Sequence, residues 1–238
     1  MDFGFLFAKY FHNFIPIKEK RRALRGQLEA YKITTIIDGK KQRKPRFKEL
    51  KGYNVQNKGK NNQIQLYTPL SKMHVGVLMI GDNNTLILGG KNVGDLKFYF
   101  NEDCGYVRLG EGSSFLDVSF FPSSYQIEVG NGCMFSRDVQ VYGHDQHVLL
   151  DAQTKKIINQ KVAPTRIGNH CWIGARVTIL KGVHIPNQTI VGSCSVVTKS
   201  FTEEYTALGG NPAKLIKSGI TWSRESVSGY LKHKKVKI

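Results

Sequence analysis

A chain of 238 residues with 40% hydrophobic and 22% charged side chains is long enough to bury a core, and this composition excludes global disorder. Its 35 Lys and Arg against 18 Asp and Glu leave a formal charge of +17, which draws polyanions: nucleic acid, an anionic membrane surface, an acidic polysaccharide or a phosphorylated cofactor. No apolar run reaches the ~18 residues of a transmembrane helix, and without zinc-finger spacing, an RNA-binding sheet motif or a basic zipper no nucleic-acid partner is expected.

The chain opens on an apolar, aromatic stretch, MDFGFLFAKYFHNFI, broken by Lys9, His12 and Asn13 and lacking a small-residue cleavage site. It makes a poor signal peptide. Two readings stay open: an amphipathic segment lying on a membrane, backed by the basic run Lys18–Arg25, or aromatics packed on the domain or a sister subunit. Beyond Pro16, the good helix formers of Glu19–Tyr31 predict a helix of about four turns. A second basic run, Lys40–Lys51, contains the helix breaker Pro45. Residues 1–55 are therefore expected to form a basic, partly helical N-terminal segment. Residues 56–217 would form the main domain, and 218–238 a basic tail carrying Lys232, Lys234, Lys235 and Lys237.

From Gly59 the texture changes to short aliphatic bursts separated by Gly and Asn. Gly59–Leu66 (GKNNQIQL) and Gly81–Leu88 (GDNNTLIL) are alike, each a Gly-x-Asn-Asn turn feeding an alternating strand. Such self-similarity marks a solenoid, in which each repeat covers its neighbour's apolar face. Farther on the period becomes strict: Ile167, Ile173, Ile179, Ile185, Val191 and Val197 recur every sixth residue. Four positions beyond the first five come Cys171, Val177, Val183, Thr189 and Ser195, all small or β-branched. A period of six fits neither a helix nor a plain strand, but it fits a triangular prism with three short strands per coil. Val129, Phe135 and Val141 keep the same spacing upstream, with Cys133 and Val139 as their small partners. Leu109 and Phe115 are candidates for the same set, while the stretch 90–126 is ragged.

The period lapses at His144–Arg166. An interruption of that length in a strict solenoid predicts a protruding functional loop. At its root lies Tyr142-Gly-His-Asp-Gln-His-Val148, which offers two histidines as bases near neutral pH. Four cysteines, Cys104, Cys133, Cys171 and Cys194, form no CxxC pair and point to free thiols in a reducing cytoplasm.

The hexapeptide run, Cys171-Trp172-Ile173-Gly174-Ala175 and the closing Gly209–Lys217 (GGNPAKLIK) resemble the hexapeptide-repeat acetyltransferases, in the branch with maltose, galactoside and xenobiotic acetyltransferases and bacterial polysaccharide O-acetyltransferases. This resemblance implies an all-β solenoid, a left-handed parallel β-helix, here with an α-helical N-terminal segment and an extended loop. It also implies a homotrimer with sites between neighbouring prisms, acetyl-CoA as donor, and a sugar or polysaccharide acceptor, with no metal. The basic segments suit an acidic polymer, or contact with the inner face of the membrane. His147, 25 residues before Trp172, matches the final His of the Ser-Asp-x-His pattern of polysaccharide-modifying members and is the first candidate for the base. Asp145 matches the Asp, and His144 stands in place of the Ser as the second candidate. Trp172 corresponds to the tryptophan lining the acceptor and thioester groove.

For the donor, the resemblance assigns the Ala175 amide to the thioester carbonyl, where relatives carry a serine, and Ser193 to the pantetheine arm. Thr198 and Lys199 would lie near the phosphates, Pro212 beside the adenine, and Lys214 and Lys217 near the 3′-phosphate. His170 and His184 invite a zinc reading through the fold's carbonic-anhydrase branch, but that branch spaces its ligands differently and lacks the Asn-Pro-Ala-Lys tail. Two other functions remain on the table: a small-acceptor acetyltransferase and a non-catalytic β-helix scaffold.

Overall fold

The computed structural model describes residues 34–42, 52–67, 73–160 and 163–234. Alternating buried and exposed positions in strands of two to eight residues wind into a β-solenoid of about seven turns, nearly all sheet, coiled left-handed. Its first face stacks Thr34–Ile37, Gln63–Leu66, Thr85–Leu88, Tyr106–Leu109, Gln126–Val129, Thr165–Ile167 and His184–Ile185 in parallel register. The two similar bursts are thus neighbours in space, Gln63 beside Thr85.

Coil length falls along the prism. Neighbours on the first face, Gln63, Thr85, Tyr106 and Gln126, are 22, 21 and 20 positions apart, whereas Arg166 and His184 are 18 apart. The cause of the ragged stretch lies here. Val93–Phe100 and Ser114–Phe121 are eight-residue strands that run through the bend between the second and third faces, with a register shift at Gly94/Leu96. Ser114–Phe121 pairs with Met134–Phe135 by its first half and with Val139–Tyr142 by its second. Later coils make the same bend at a corner, where the strands split into pairs such as Trp172–Ile173 on the second face and Thr178–Ile179 on the third. Corner residues Asp138, Arg176 and Cys194 there hold φ of 57°, 56° and 61°, a left-handed backbone repeated once per coil.

Every aliphatic of the six-residue series is buried, Ile173, Ile179, Ile185 and Val197 completely, and so are Leu109 and Phe115. Within the prism Phe98 stacks on Phe120 with centroids 5.1 Å apart, and Phe115 on Phe135 at 5.0 Å. Corners are tied by side-chain ladders that answer the backbone donors the bends leave over. Asn62 accepts from the Asn84 amide and Asn84 from the Gly105 amide, both at 2.7 Å. At another corner Asn169 accepts from the Asn131 amide at 2.8 Å and Asn187 from the Asn169 amide at 2.7 Å. All four cysteines are free thiols, with Cys133 and Cys171 buried.

The sheet extends upstream of residue 56, since Thr34–Ile37 pairs with Gln63–Leu66 and is itself covered by an antiparallel strand, Lys40–Gln42. At the other end Thr206–Gly209 is covered by the antiparallel strand Lys214–Ser218. The chain then folds back. Trp222 is buried against His170, ring centroids 4.4 Å apart, and donates its indole N–H to the His170 carbonyl at 2.8 Å. Arg224 donates to the Ser114 hydroxyl and the Cys133 carbonyl, each at 2.7 Å. Helix α1 (Val227–Lys234) follows. The helix expected at Glu19–Tyr31, the opening aromatic stretch and most of the Lys40–Lys51 run lie outside the described residues. Among the described residues no helix is long and apolar enough to cross a membrane.

Candidate active site

The interruption is a hairpin-like loop built on the end of the third face. Ile127 and Thr165 are neighbours on the first face although 38 positions apart, so the coil between them carries about one coil's worth of extra chain. Thr165, fully buried, closes the root. Its hydroxyl donates to the Tyr142 carbonyl at 2.8 Å and accepts from the Gly182 amide at 2.9 Å. The solenoid therefore resumes at Thr165, inside the expected loop boundary. Farther out, Leu150 and Ile157 form an antiparallel bridge, and Asp151 caps a turn by accepting from the Thr154 amide at 2.7 Å.

Inside the root the histidine segment is fixed by residues that sequence reasoning did not single out. The Asn159 amide nitrogen donates to Asp145 Oδ2 at 2.8 Å and to the His147 carbonyl at 2.9 Å, while Asn159 Oδ1 accepts from the Leu149 amide at 2.9 Å. Lys181, from the next coil, donates to the same Asp145 oxygen. Burial alone raises the Asp145 pKa, but the hydrogen bonds from Lys181 and Asn159 outweigh it and hold the carboxyl below its ordinary value. Lys181 was findable, since it stands in the turn that follows the buried Ile179, one coil beyond the root. Asn159 follows no periodic pattern and had no such signal.

His144 is buried, 7% exposed, and its Nε2 has no hydrogen-bond partner. It lines a pocket of about 190 Å³ with Tyr142, Asp145, Gln146, Leu180 and Lys181. His147 is exposed on the loop, its backbone fixed by Asn159. The structure thus brings His144 and Asp145 together and keeps His147 one turn of loop away. Trp172 projects from the second face, 39% exposed, beside Trp222 at 6.2 Å, so a single prism does not unite it with the histidines. Trp222 itself falls beyond the repeat, which is why no spacing announced it.

The expected donor residues cluster at the C-terminal end of the solenoid. Ala175 and Ser193 are neighbours on one corner, the Ser193 hydroxyl accepting from the Ala175 amide at 3.2 Å. That acceptor rotates freely, so the amide can be handed to another oxygen. Thr198 and Lys199 are exposed where the third face ends, with Lys199 Nζ 5.8 Å over the Phe201 ring. Pro212 is exposed, and the Ala213 amide seals the turn by donating to the Val196 carbonyl at 2.8 Å. Lys214 and Lys217 are exposed on the covering strand. Among the described residues no group of three or more His, Cys, Asp or Glu is arranged to hold a metal ion.

Comparison with known proteins gives this geometry a family. The bacterial transferase hexapeptide (six repeats) family matches residues 164–199. A polysialic acid O-acetyltransferase of Neisseria meningitidis is 31% identical over 172 residues, 70% of this chain and 78% of that protein. A second polysialic acid O-acetyltransferase, from Escherichia coli O1:K1, is 35% identical over 98 residues. That match spans 41% of this chain and only 31% of the relative's length. A chloramphenicol acetyltransferase of Klebsiella aerogenes is 45% identical over 62 residues, 26% of this chain and 29% of that protein. Among solved structures, a polySia-specific acetyltransferase superposes with a TM-score of 0.63 at 22% identity, covering 87% of this chain and 99% of that one, which shows the shared fold. The chain therefore belongs to the hexapeptide-repeat family of bacterial transferases, and the relatives that establish this are acetyltransferases.

Proposed function

We propose that the protein is an acetyl-CoA-dependent O-acetyltransferase that modifies a sugar hydroxyl of a bacterial surface polysaccharide. The observation that carries this reading is the match to the Neisseria polysialic acid O-acetyltransferase, which covers 70% of this chain and 78% of that protein. His147 acts as general base. It takes the acceptor hydroxyl's proton as the oxygen attacks the thioester carbonyl, and returns it to the departing sulfur, with no covalent enzyme intermediate. The Ala175 amide donates to the carbonyl oxygen as charge develops there. Ser193, Thr198, Lys199 and Pro212 line the donor's path, and Lys214 and Lys217 supply the positive charge a phosphorylated donor needs. Trp172 flanks the thioester.

Because Trp172 and the histidines project from different faces, the reaction needs a neighbouring prism, and a homotrimer places one prism's tryptophan opposite the next one's loop. The excess of basic residues favours an acidic polymer assembled at the inner face of the membrane. The test is to replace each histidine by alanine and follow acetyl transfer from acetyl-CoA to capsular polysaccharide. His147→Ala should lower kcat by about 10²–10⁴-fold. A His147→Ala protein that keeps most of its activity while His144→Ala loses it would move the base to His144.

The short, closer match to a chloramphenicol acetyltransferase favours a second reading, acetyl transfer to a small acceptor. At saturating acetyl-CoA, KM for a small neutral acceptor would show little salt dependence and no preference for polymer length, and an acidic polymer would show both.

A further inference from the structure

The third face carries a feature the donor and base assignments do not use. Leu78, Tyr99, Phe121, Tyr142 and Leu180 occupy equivalent outward positions on successive coils, as the registers of their strands require. The three aromatic rings stack one per coil. Tyr99 and Phe121 have centroids 5.1 Å apart and planes 9° apart; Phe121 and Tyr142 are 4.8 Å and 12°. Packed on one another they are half-buried, and they form an apolar strip one side chain wide on the outside of the molecule. Two residues before each ring a second outward column runs alongside, Lys97, Ser119, Gln140 and Thr178, rich in hydrogen-bonding groups.

This strip leads somewhere. Tyr142 and Leu180, its last two members, are walls of the pocket at the loop root, which the buried His144 also lines. An apolar line flanked by a polar line suits a linear oligosaccharide, whose ring C–H faces are apolar and whose edges are hydroxyls. A strip this narrow is a poor subunit interface, which needs about 800 Å² per partner.

We propose that the outer column Tyr99–Phe121–Tyr142 is the track on which an acceptor glycan chain lies, with one sugar unit seated in the His144 pocket; this rests on the polysaccharide reading above. Sugar units beyond the one in the pocket would pack on Phe121 and Tyr99 and hydrogen-bond to Gln140, Ser119 and Lys97. The track governs chain-length preference, and not the chemistry.

Phe121→Ser and Tyr99→Ser remove the strip without touching the base, the donor residues or the inward core. The assay supplies acetyl-CoA with either long polysialic acid or a sialic acid disaccharide. For wild type, long chains should be preferred. In the variants KM for the long polymer should rise about tenfold, while kcat, the disaccharide rate and KM for acetyl-CoA stay within about twofold. Equal losses on both acceptors would overturn the track, as would unchanged KM for the polymer. A change of sedimentation coefficient in Phe121→Ser would also overturn it, showing that the strip packs against another copy of the chain. If wild type acetylates neither glycan, the polysaccharide reading fails and takes the track with it; if it acetylates both and the variants do not discriminate, only the track fails.

Discussion

Asn159 shows how one side chain can organise a loop that lacks a core of its own. Its two donor bonds and one acceptor bond join Asp145, the His147 carbonyl and the Leu149 amide, so both legs of the loop root depend on it. Asn159→Ala should therefore lower kcat at least tenfold by releasing His147, with KM for acetyl-CoA unchanged; Asn159→Asp, which keeps only the acceptor, should not restore it. Lys181 adds a charge to the same anchor. Because the Asp145 pKa is depressed in the folded protein, its contribution to loop order is in place above the ordinary carboxylate value. It is lost as pH falls through the depressed one. Protection of the Leu149 and Ile158 amides against hydrogen exchange, relative to the intrinsic rate at each pH, should then fall on strong acidification. Lys181→Met should move that loss of protection to higher pH, toward the ordinary carboxylate range. At this scale the sequence made the histidines and Asp145 visible, since their residue types stand out where a strict period stops. It hid Asn159, whose importance comes from a loop conformation that no periodicity encodes.

Strands of two residues cannot hold a sheet together alone, and the prism compensates with ladders that run across coils. Asn84 is fully buried and serves three partners: it donates to the Gly81 carbonyl at 2.9 Å, accepts from the Gly105 amide, and gives its own amide to Asn62. Asn84→Ala leaves a buried amide without an acceptor and should cost about 2–3 kcal/mol. Phe98→Ala, which opens a hole in the inner aromatic stack, should cost about 3–5 kcal/mol. Denaturant unfolding measures both, provided the transition is two-state. The Gly-x-Asn-Asn turns were legible before the fold was known, and the ladder explains why Asn recurs there. The stretch 90–126 was not legible because two faces merge into single long strands. Without a corner to reset the count, a six-residue period slips by two or three positions per coil.

For the molecule as a whole, charge and topology make separate statements. The formal charge of +17 predicts that, at saturating acetyl-CoA, activity on an acidic polymer falls steeply between low and moderate salt, whereas activity on a neutral small acceptor changes far less. If the proposed homotrimer builds the site, sedimentation should find three copies of the chain. The solenoid's architecture was readable from Ile167 onward because burial demands one aliphatic per face per coil, and all six aliphatics are inside. The fold-back of Trp222 and Arg224 was not, since a tail beyond the last coil obeys no repeat.

A stack of parallel coils has a growth problem: its terminal rungs offer backbone groups in the register that another copy of the same stack would complete. The reversed strands Lys40–Gln42 and Lys214–Ser218 act as stoppers on the rungs they cover. A strand of opposite polarity presents the wrong spacing of donors and acceptors for the next parallel rung, so a second prism has nothing to continue. Their removal would turn a discrete enzyme into a monomer for a fibre, with turbidity and filaments under the electron microscope as its visible signs.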